Sequence, residues 1–228
     1  MPLVHMSGHR NEGRIMKLIN LRRVLLAAIP IIVICTADRA ECAASSQQAL
    51  HAKIEYCNTC HGLSAQGYRG FYPIPRLAGQ QTQYIENQLR AFIERRRKNS
   101  YMYNVAHVLS PEMQTALAKY FNALNSKPLR DAPRTLVDKG KTIYEEGDPN
   151  SNVPACMACH GGEAKGQQEI PRLAGQLPDY IFNKLVNWNK ERGQDERRPD
   201  ISAIMLPTSH NLSKAQIQAV AAYVSQLQ

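Results

Sequence analysis

Cys57-Asn-Thr-Cys60-His61 and Cys156-Met-Ala-Cys159-His160 are two copies of one pentapeptide pattern, Cys-x-x-Cys-His. This spacing is typical of covalent attachment of a c-type haem. The two thiols can bond to the two vinyl groups of one haem, and the histidine that follows can ligate its iron. We therefore expect two covalently bound haem c groups. Their predicted attachment and iron-ligating residues are Cys57, Cys60, Cys156 and Cys159, with His61 and His160.

The sequence around each motif repeats with a period near 100 residues. Pro75-Arg-Leu-Ala-Gly-Gln80 recurs unchanged as Pro171-Arg-Leu-Ala-Gly-Gln176, and Tyr84 matches Tyr180 at the same offset of 96 residues. A repeat that keeps both the motif and the segments around it indicates a duplicated domain.

Each copy predicts the same order of elements: a helix ending in the haem motif, a loop with glycine and proline, a middle helix, a methionine-bearing loop and a final helix. The predicted helices before the final ones are Gln47 to Glu55, Gln81 to Arg97, Leu136 to Glu146 and Leu177 to Lys190. Ser110 with Pro111, and Ser213 with Gln216, predict N-caps for the final helices. No stretch alternates with period two for long enough to form a sheet, so the expected fold class is all-α.

The first residues have the order of a secretory signal. Lys17, Arg22 and Arg23 precede an apolar run of 12 residues, Val24 to Cys35, and small residues follow up to Ala44. The predicted organisation is a signal peptide over 1–44 (with Met16 as an alternative start), a domain over 45–126, a linker over 127–133 and a domain over 134–228. Cleavage near Ala44 leaves four cysteines, all within the two motifs, and the signal predicts that the protein is exported.

The two predicted domains differ in charge. Residues 45–126 hold nine basic and four acidic side chains, a net of +5, whereas residues 128–228 hold twelve of each. The positive electrostatic field of the first domain could therefore steer an acidic partner towards it. The alternative is that the basic surface serves only solubility. The same two interpretations apply to Arg95-Arg-Arg-Lys98, either a docking patch or cations solvated at a helix C-terminus.

The sixth iron ligand decides whether such a centre transfers electrons or binds small molecules. Met102 and Met205 occupy equivalent places in the repeat, each seven residues before a Leu-Ser pair. A thioether ligand favours the reduced iron and blocks substrates. Their equivalent places in the duplication make Met102 and Met205 the predicted sixth ligands of the two irons. His107 and His210 also match across the repeat and leave bis-histidine ligation as the alternative.

The repeated Pro-Arg-Leu segments have a chemical role of their own. An iron-bound histidine usually donates its free N–H to an acceptor, and the carbonyls of Pro75 and Pro171 can serve as that acceptor. Leu77 and Leu173 are predicted to pack on the haems. The repeat also contains Arg76 and Arg172, which either pair with haem propionates or are solvated.

These motifs together resemble the class I cytochromes c, and their duplication resembles the di-haem c4-type cytochromes. The strongest stretches are Gly140-Lys-Thr-Ile-Tyr144, Val153 to Gly161 and Pro171 to Gln176. The resemblance implies two tandem helical domains joined by a short linker, with haems facing each other near the interface. It also implies one-electron exchange in the periplasm, towards a terminal oxidase. The second copy departs from the first by seven extra residues, including the charged run Glu191 to Asp200.

The expected function is that of an electron carrier rather than an enzyme. Its expected donor is a quinol-cytochrome c reductase or another periplasmic protein, with peripheral membrane association as an option. No nucleic acid or small-molecule substrate is expected. The alternatives are the cytochrome subunit of a larger enzyme such as a flavocytochrome sulfide dehydrogenase, and a di-haem peroxidase. A zinc or disulfide role for the cysteines leaves the motif histidines unexplained.

Overall fold

The computed structural model describes residues 44–125, 127–192 and 201–228 of the chain. Ten α-helices lie within these residues. They are α1 (44–61), α2 (Thr82–Ile93), α3 (Ser100–Ala106), α4 (Pro111–Ala123), α5 (Arg134–Glu146), α6 (Met157–His160), α7 (Pro178–Val186), α8 (Trp188–Glu191), α9 (Met205–Asn211) and α10 (Lys214–Gln226). Over the described ranges only isolated β-bridges occur, with no named strand, so the predicted all-α class is confirmed.

The first half is organised around α2, which packs against α3 and α4. Ser110 caps α4 by accepting a hydrogen bond from the Met113 backbone, and Pro111 occupies the first turn, as predicted. The core is apolar and continuous. Its buried members include Ile54, Ile85, Leu89, Phe92, Leu109, Leu117 and Phe121.

The second half is built on the close packing of α5 and α10. Gly140 permits this approach, because a Cβ at that position would lie 1.9 Å from the Ala219 carbonyl oxygen. The predicted capping box of Ser213 and Gln216 starts α10. Behind the α5–α10 contact, Tyr144 is fully buried and donates a 2.6 Å hydrogen bond to the Gly161 carbonyl beside the second motif.

The predicted element order is wrong in three respects, of which the first concerns the segments that contain the methionines. Met102 and Met205 lie in short helices, α3 and α9, and not in loops. The Asn99 side chain caps α3 by accepting from the Met102 backbone, a signal that the sequence contains. Ahead of Met205, residues Ile201–Ile204 form a 3₁₀ turn.

The second copy also lacks a helix that runs into its motif. Helix α5 ends at Glu146, where Gly147 adopts φ 76°, and Pro149–Ser151 form a 3₁₀ turn before α6 begins. A glycine in the left-handed region ends helices readily. The middle helices are shorter than predicted as well: α2 ends at Ile93, and Asn187 separates α7 from α8.

The predicted linker touches both halves of the molecule. The Arg76 guanidinium donates to the Lys127 carbonyl, and the Leu129 N–H donates to the Ser225 carbonyl at 2.8 Å. From Leu50 onwards the described residues pack as one compact unit, and the predicted domain boundaries stay predictions. The predicted signal peptide lies outside the described residues, apart from Ala44. No described helix is long and apolar enough to cross a membrane.

Candidate haem sites

The two Cys-x-x-Cys-His motifs lie on short helical segments, at the end of α1 and in α6. In each motif the first cysteine is half-buried and the second is exposed, and all four are free thiols. Burial raises the pKa of both Cys57 and Cys156 to about 11. The first thiol of each pair is therefore neutral at physiological pH. The thioether that it would form with a haem vinyl group is neutral too, so haem attachment would bury no new charge at this position.

The motif histidines are held in the same way in both halves. His61 Nδ1 donates to the Pro75 carbonyl at 2.9 Å, and His160 Nδ1 donates to the Pro171 carbonyl at 3.0 Å. Both rings are buried, and this burial lowers the pKa of each imidazole. A neutral ring with its Nδ1–H donated to a carbonyl has the free Nε2 lone pair that iron ligation requires.

A single cavity of about 1880 Å³ is lined by residues of both halves. The twelve residues predicted to attach, ligate or contact a haem all line it. They are Cys57, Cys60, His61, Pro75, Leu77, Met102, Cys156, Cys159, His160, Pro171, Leu173 and Met205. Leu77 packs against the first core and Leu173 against the second. The structure therefore brings the predicted haem residues of each half together, and both groups line the same cavity.

The methionines and the alternative histidines are placed differently. Met102 and Met205 are half-buried and line the cavity, whereas His107 and His210 are exposed and do not line it. His107 stacks on Tyr103 with 5.1 Å between ring centroids. This placement favours methionine over histidine as the sixth ligand.

Two buried arginines face the cavity and were missed by the sequence analysis. Arg97 and Arg192 are 8% and 6% exposed and are joined by an isolated antiparallel bridge. In the described part of the chain neither forms an ion pair. Burial and then the Arg97 charge lower the pKa of Arg192. Arg97 was predicted to belong to a solvated or docking cluster, which is wrong for this residue because the second half covers it.

These arginines supply a test of whether a haem fits here. Against its burial, Tyr180, Tyr84 and the nearby Glu191 carboxylate raise the pKa of Arg97, whereas no carboxylate among the described residues offsets the burial of Arg192. A buried cation that lacks an ion-pair partner is costly unless an anion joins it. The indole Nε1 of Trp188, beside Arg192 on the cavity wall, is also buried without an acceptor among the described residues. A haem offers an apolar ring for the cavity and propionates for these donors, so the residues fit the group.

The arginines of the repeated segment have other partners. Arg76 donates to the backbone carbonyls of Gln66, Lys127 and Gly175, and Arg172 Nε donates to the Ala174 carbonyl at 3.0 Å. Neither side chain is therefore simply solvated. The structure indicates that Arg76 holds the linker to both halves.

The two other interpretations of the cysteines are not favoured. Over the described ranges the four motif cysteines form no disulfide, and no group of three or more His, Cys, Asp or Glu is placed to hold a metal ion. Each motif instead presents one histidine and two thiols to a large apolar-walled space.

The chain is similar to known electron-transfer proteins. The family model for cytochrome c matches residues 137–228. Cytochrome c-552 of Acidithiobacillus ferridurans is 37% identical over 178 residues, which are 75% of this chain and 73% of that protein. A thiosulfate dehydrogenase electron acceptor of Thiomonas intermedia (strain K12) is 32% identical over 212 residues, 91% of this chain and 92% of that protein.

A solved structure has the same fold. Cytochrome c4 of Acidithiobacillus ferrooxidans matches with a TM-score of 0.64 and 36% identity, over 75% of this chain and 98% of that chain. The similarity thus extends beyond the second half that the family model matches, to both motif-bearing halves.

Proposed function

This chain belongs to the di-haem c4-type cytochromes, and from that membership we propose that it is a periplasmic carrier of single electrons that passes them towards a terminal oxidase. Electron transfer through covalently bound haem c is common to the family. The compartment, the partners and the residues that hold each haem are our proposal.

One observation carries the assignment of two haem sites. The same hydrogen bond, from a buried motif histidine to the carbonyl of a repeated proline, occurs in both halves and beside the same cavity. A duplicated motif alone would not require both copies to keep this arrangement. We propose one haem at Cys57 and Cys60 with His61 and Met102 as iron ligands. The second haem is at Cys156 and Cys159 with His160 and Met205.

The protein side chains divide the work at each site. A bound haem supplies an iron that exchanges one electron. The Pro75 and Pro171 carbonyls hold the histidine rings and increase their basicity, which stabilises oxidised iron. The methionine thioethers favour reduced iron and keep small molecules from the sixth position. Arg97 and Arg192, which line the cavity, would stabilise the propionates of a bound haem.

The proposed partners follow from export and from charge. A signal peptide over 1–44 would deliver the chain to the periplasm, where a quinol-cytochrome c reductase or another periplasmic protein would donate electrons. The net charge of +5 on residues 45–126 favours an acidic partner surface at the first half. Peripheral attachment to the membrane is compatible with this basic half.

A second candidate function is electron acceptance from a thiosulfate dehydrogenase. The observation that favours it is the 92% coverage of the Thiomonas intermedia protein, which is a thiosulfate dehydrogenase electron acceptor. In that case electrons would enter from a thiosulfate dehydrogenase. The flavocytochrome alternative would require the chain to purify with a flavoprotein.

Redox titration of the purified holoprotein with optical detection tests the assignment. We expect two covalent haems per chain, and in the oxidised protein the charge-transfer band of methionine bound to iron(III). One haem per chain would overturn the proposal, and absence of the band at both haems would overturn the ligand set. Stopped-flow mixing with a purified thiosulfate dehydrogenase plus thiosulfate, or with terminal oxidase membranes, then separates the two candidate functions.

A further inference from the structure

The last residue of each repeated Pro-Arg-Leu-Ala-Gly-Gln segment reaches into the other half of the molecule. The Gln80 side chain donates from Nε2 to the Arg172 carbonyl at 3.0 Å. Its Oε1 accepts from the Arg172 backbone N–H at 2.8 Å. Gln80 therefore pairs with both backbone polar groups of one residue, as a neighbouring β-strand would.

Gln176 makes the same two bonds in the opposite direction. Its Nε2 donates to the Arg76 carbonyl at 2.9 Å, and its Oε1 accepts from the Arg76 backbone N–H at 2.9 Å. Both glutamine side chains are buried, at 6% and 7% exposure. The two residues form a reciprocal pair, which we name the glutamine clasp (Gln80 and Gln176).

The clasp gives a physical reason for the glutamine that ends both hexapeptides. Each segment presents a backbone N–H and carbonyl at its second residue, and a glutamine that binds those groups in the other segment. The glutamine amide is long enough to span the gap and has one donor and one acceptor in the right places. Buried bonds of this kind are costly to leave unmade.

The position of the clasped residue connects it to the haem sites. Arg172 follows Pro171, whose carbonyl accepts from His160, and Arg76 follows Pro75, whose carbonyl accepts from His61. The peptide group that joins Pro171 to Arg172 contains both the carbonyl that holds the histidine and the N–H that Gln80 binds. A shift of that peptide moves the histidine acceptor.

We propose that each glutamine of the clasp is a positioning residue for the iron ligand of the other half: Gln80 for His160, and Gln176 for His61. The proposal rests on the iron-ligating roles given to the two histidines under Proposed function. Through Gln80 the first half thereby adjusts the reduction potential of the second haem. Through Gln176 the second half adjusts the reduction potential of the first.

The direction of the effect follows from the histidine hydrogen bond. Loss of the Gln80 bonds loosens the Pro171–Arg172 peptide and weakens the bond from His160 to the Pro171 carbonyl. A less basic histidine stabilises oxidised iron less, so the potential of the second haem rises. The potential of the first haem stays near its original value.

The experiment compares Gln80→Ala and Gln176→Ala with the unaltered holoprotein. Haem-methyl resonances, assigned to one haem or the other through contacts with Leu77 or Leu173, are followed by NMR during a redox titration. We expect Gln80→Ala to raise the potential of the second haem and Gln176→Ala that of the first. In reduced protein with labelled histidine, exchange of the His160 Nδ1–H should be about fivefold faster in Gln80→Ala.

Gln81→Ala is the matched control. Gln81 also donates across the halves, to the Lys165 carbonyl at 2.9 Å, but it does not bind the Pro171–Arg172 peptide. We expect neither potential to shift in this variant. A shift confined to the haem of the same half as the substitution, equal shifts at both haems, or no shift would overturn the proposal.

The haem count and spectrum of the unaltered protein keep this outcome separate from the proposed function. If two haems with methionine ligation are present and the variants do not show the crossed pattern, only the clasp proposal fails. If the two haems or their histidine ligands are not found, the proposed function fails before the variants are compared.

Discussion

Arg97 and Tyr180 meet across the two halves of the molecule, where Arg97 Nη2 donates a 2.7 Å hydrogen bond to the tyrosine hydroxyl. Arg192 and Tyr84 form the counterpart in the opposite direction, at 3.4 Å. The arrangement follows the sequence repeat, since Tyr84 and Tyr180 are equivalent positions. It places two buried guanidinium groups on the wall of the shared cavity.

Replacing Arg97 with methionine should lower the haem potentials. A buried cation disfavours oxidised iron, and its effect is strong because the site is shielded from water. The variant also leaves the Tyr180 hydroxyl and the Gln88 amide oxygen without this donor, at a cost of about 1–3 kcal/mol in folding stability. Spectroelectrochemistry and guanidinium unfolding of the holoprotein measure the two effects.

Arg97→Lys and Arg90→Met are the controls for this prediction. The lysine keeps the charge and should keep most of the potential, whereas Arg90 is exposed on α2 and its loss should change little. If Arg97→Lys and Arg97→Met lower the haem potentials equally, the hydrogen bonds of the guanidinium group, and not its charge, set the potentials.

The local signals in the sequence predicted most of each site. The motif cysteines and histidines and the proline acceptors lie within a short stretch of each copy, and the structure places them around one cavity. The serine caps also act locally, each on its own helix. The burial of Arg97 could not be predicted in this way, because the residues that cover it come from the other half. The glutamine clasp could not be predicted either. The repeated hexapeptide is evident in the sequence, but the sequence does not show that each glutamine binds the backbone of the other half.

Two of the wrongly predicted segments contain residues that indicate the structure found there. Asn99 is a good N-cap three residues before Met102, and it indicates the helix that was predicted to be a loop. Gly147 and Pro149 likewise mark the break before the second motif. The repeat predicts the same elements in both copies, whereas Gly147 and Pro149 occur only in the second.

Gly140→Ala should destabilise the second half. The new methyl group would lie 1.9 Å from the Ala219 carbonyl oxygen, so α5 and α10 would have to separate. Overpacking of this kind costs about 1–3 kcal/mol, and more where backbone must move. Chemical unfolding of the holoprotein, followed at the haem absorbance, gives the change in the free energy of unfolding.

Gly162→Ala is the control for the close approach. A Cβ at Gly162 would meet only the end of the Met157 side chain, at 3.9 Å. We expect its unfolding midpoint to stay near that of the unaltered protein. A loss of stability as large as that of Gly140→Ala would show that any added methyl group near the second motif is harmful.

Asp148 should make the second half sensitive to acid. Its carboxylate accepts from the Ser151 hydroxyl at 2.8 Å and from the Gln216 amide at 2.7 Å, next to the start of α10. These donors, Ser151 first, hold the pKa of Asp148 below its ordinary value. The stabilisation is therefore present above the ordinary pKa, near 4, and is lost as the pH falls through the lower folded value.

Unfolding midpoints measured from about pH 6 to pH 3 test this sign. Asp148→Asn lacks the titration and should show a shallower decline on the acid side than the unaltered protein. Asp138→Asn, an exposed change on α5, should keep the steeper decline. An unchanged acid limb in Asp148→Asn would contradict the prediction.

Met102→Ala and Met205→Ala should each open one haem. Both methionines line the cavity, whereas His107 and His210 do not. Neither histidine is therefore placed to ligate the iron when a methionine is removed. We expect each variant to lose about half of the methionine–iron(III) charge-transfer band and to bind carbon monoxide at one reduced haem. Met113→Ala, at a core methionine that does not line the cavity, should keep the whole band. An unchanged band in Met102→Ala, together with carbon monoxide binding in His107→Ala, would reverse the ligand assignment of the first haem. Carbon monoxide binding to the unaltered reduced protein would instead support a di-haem enzyme.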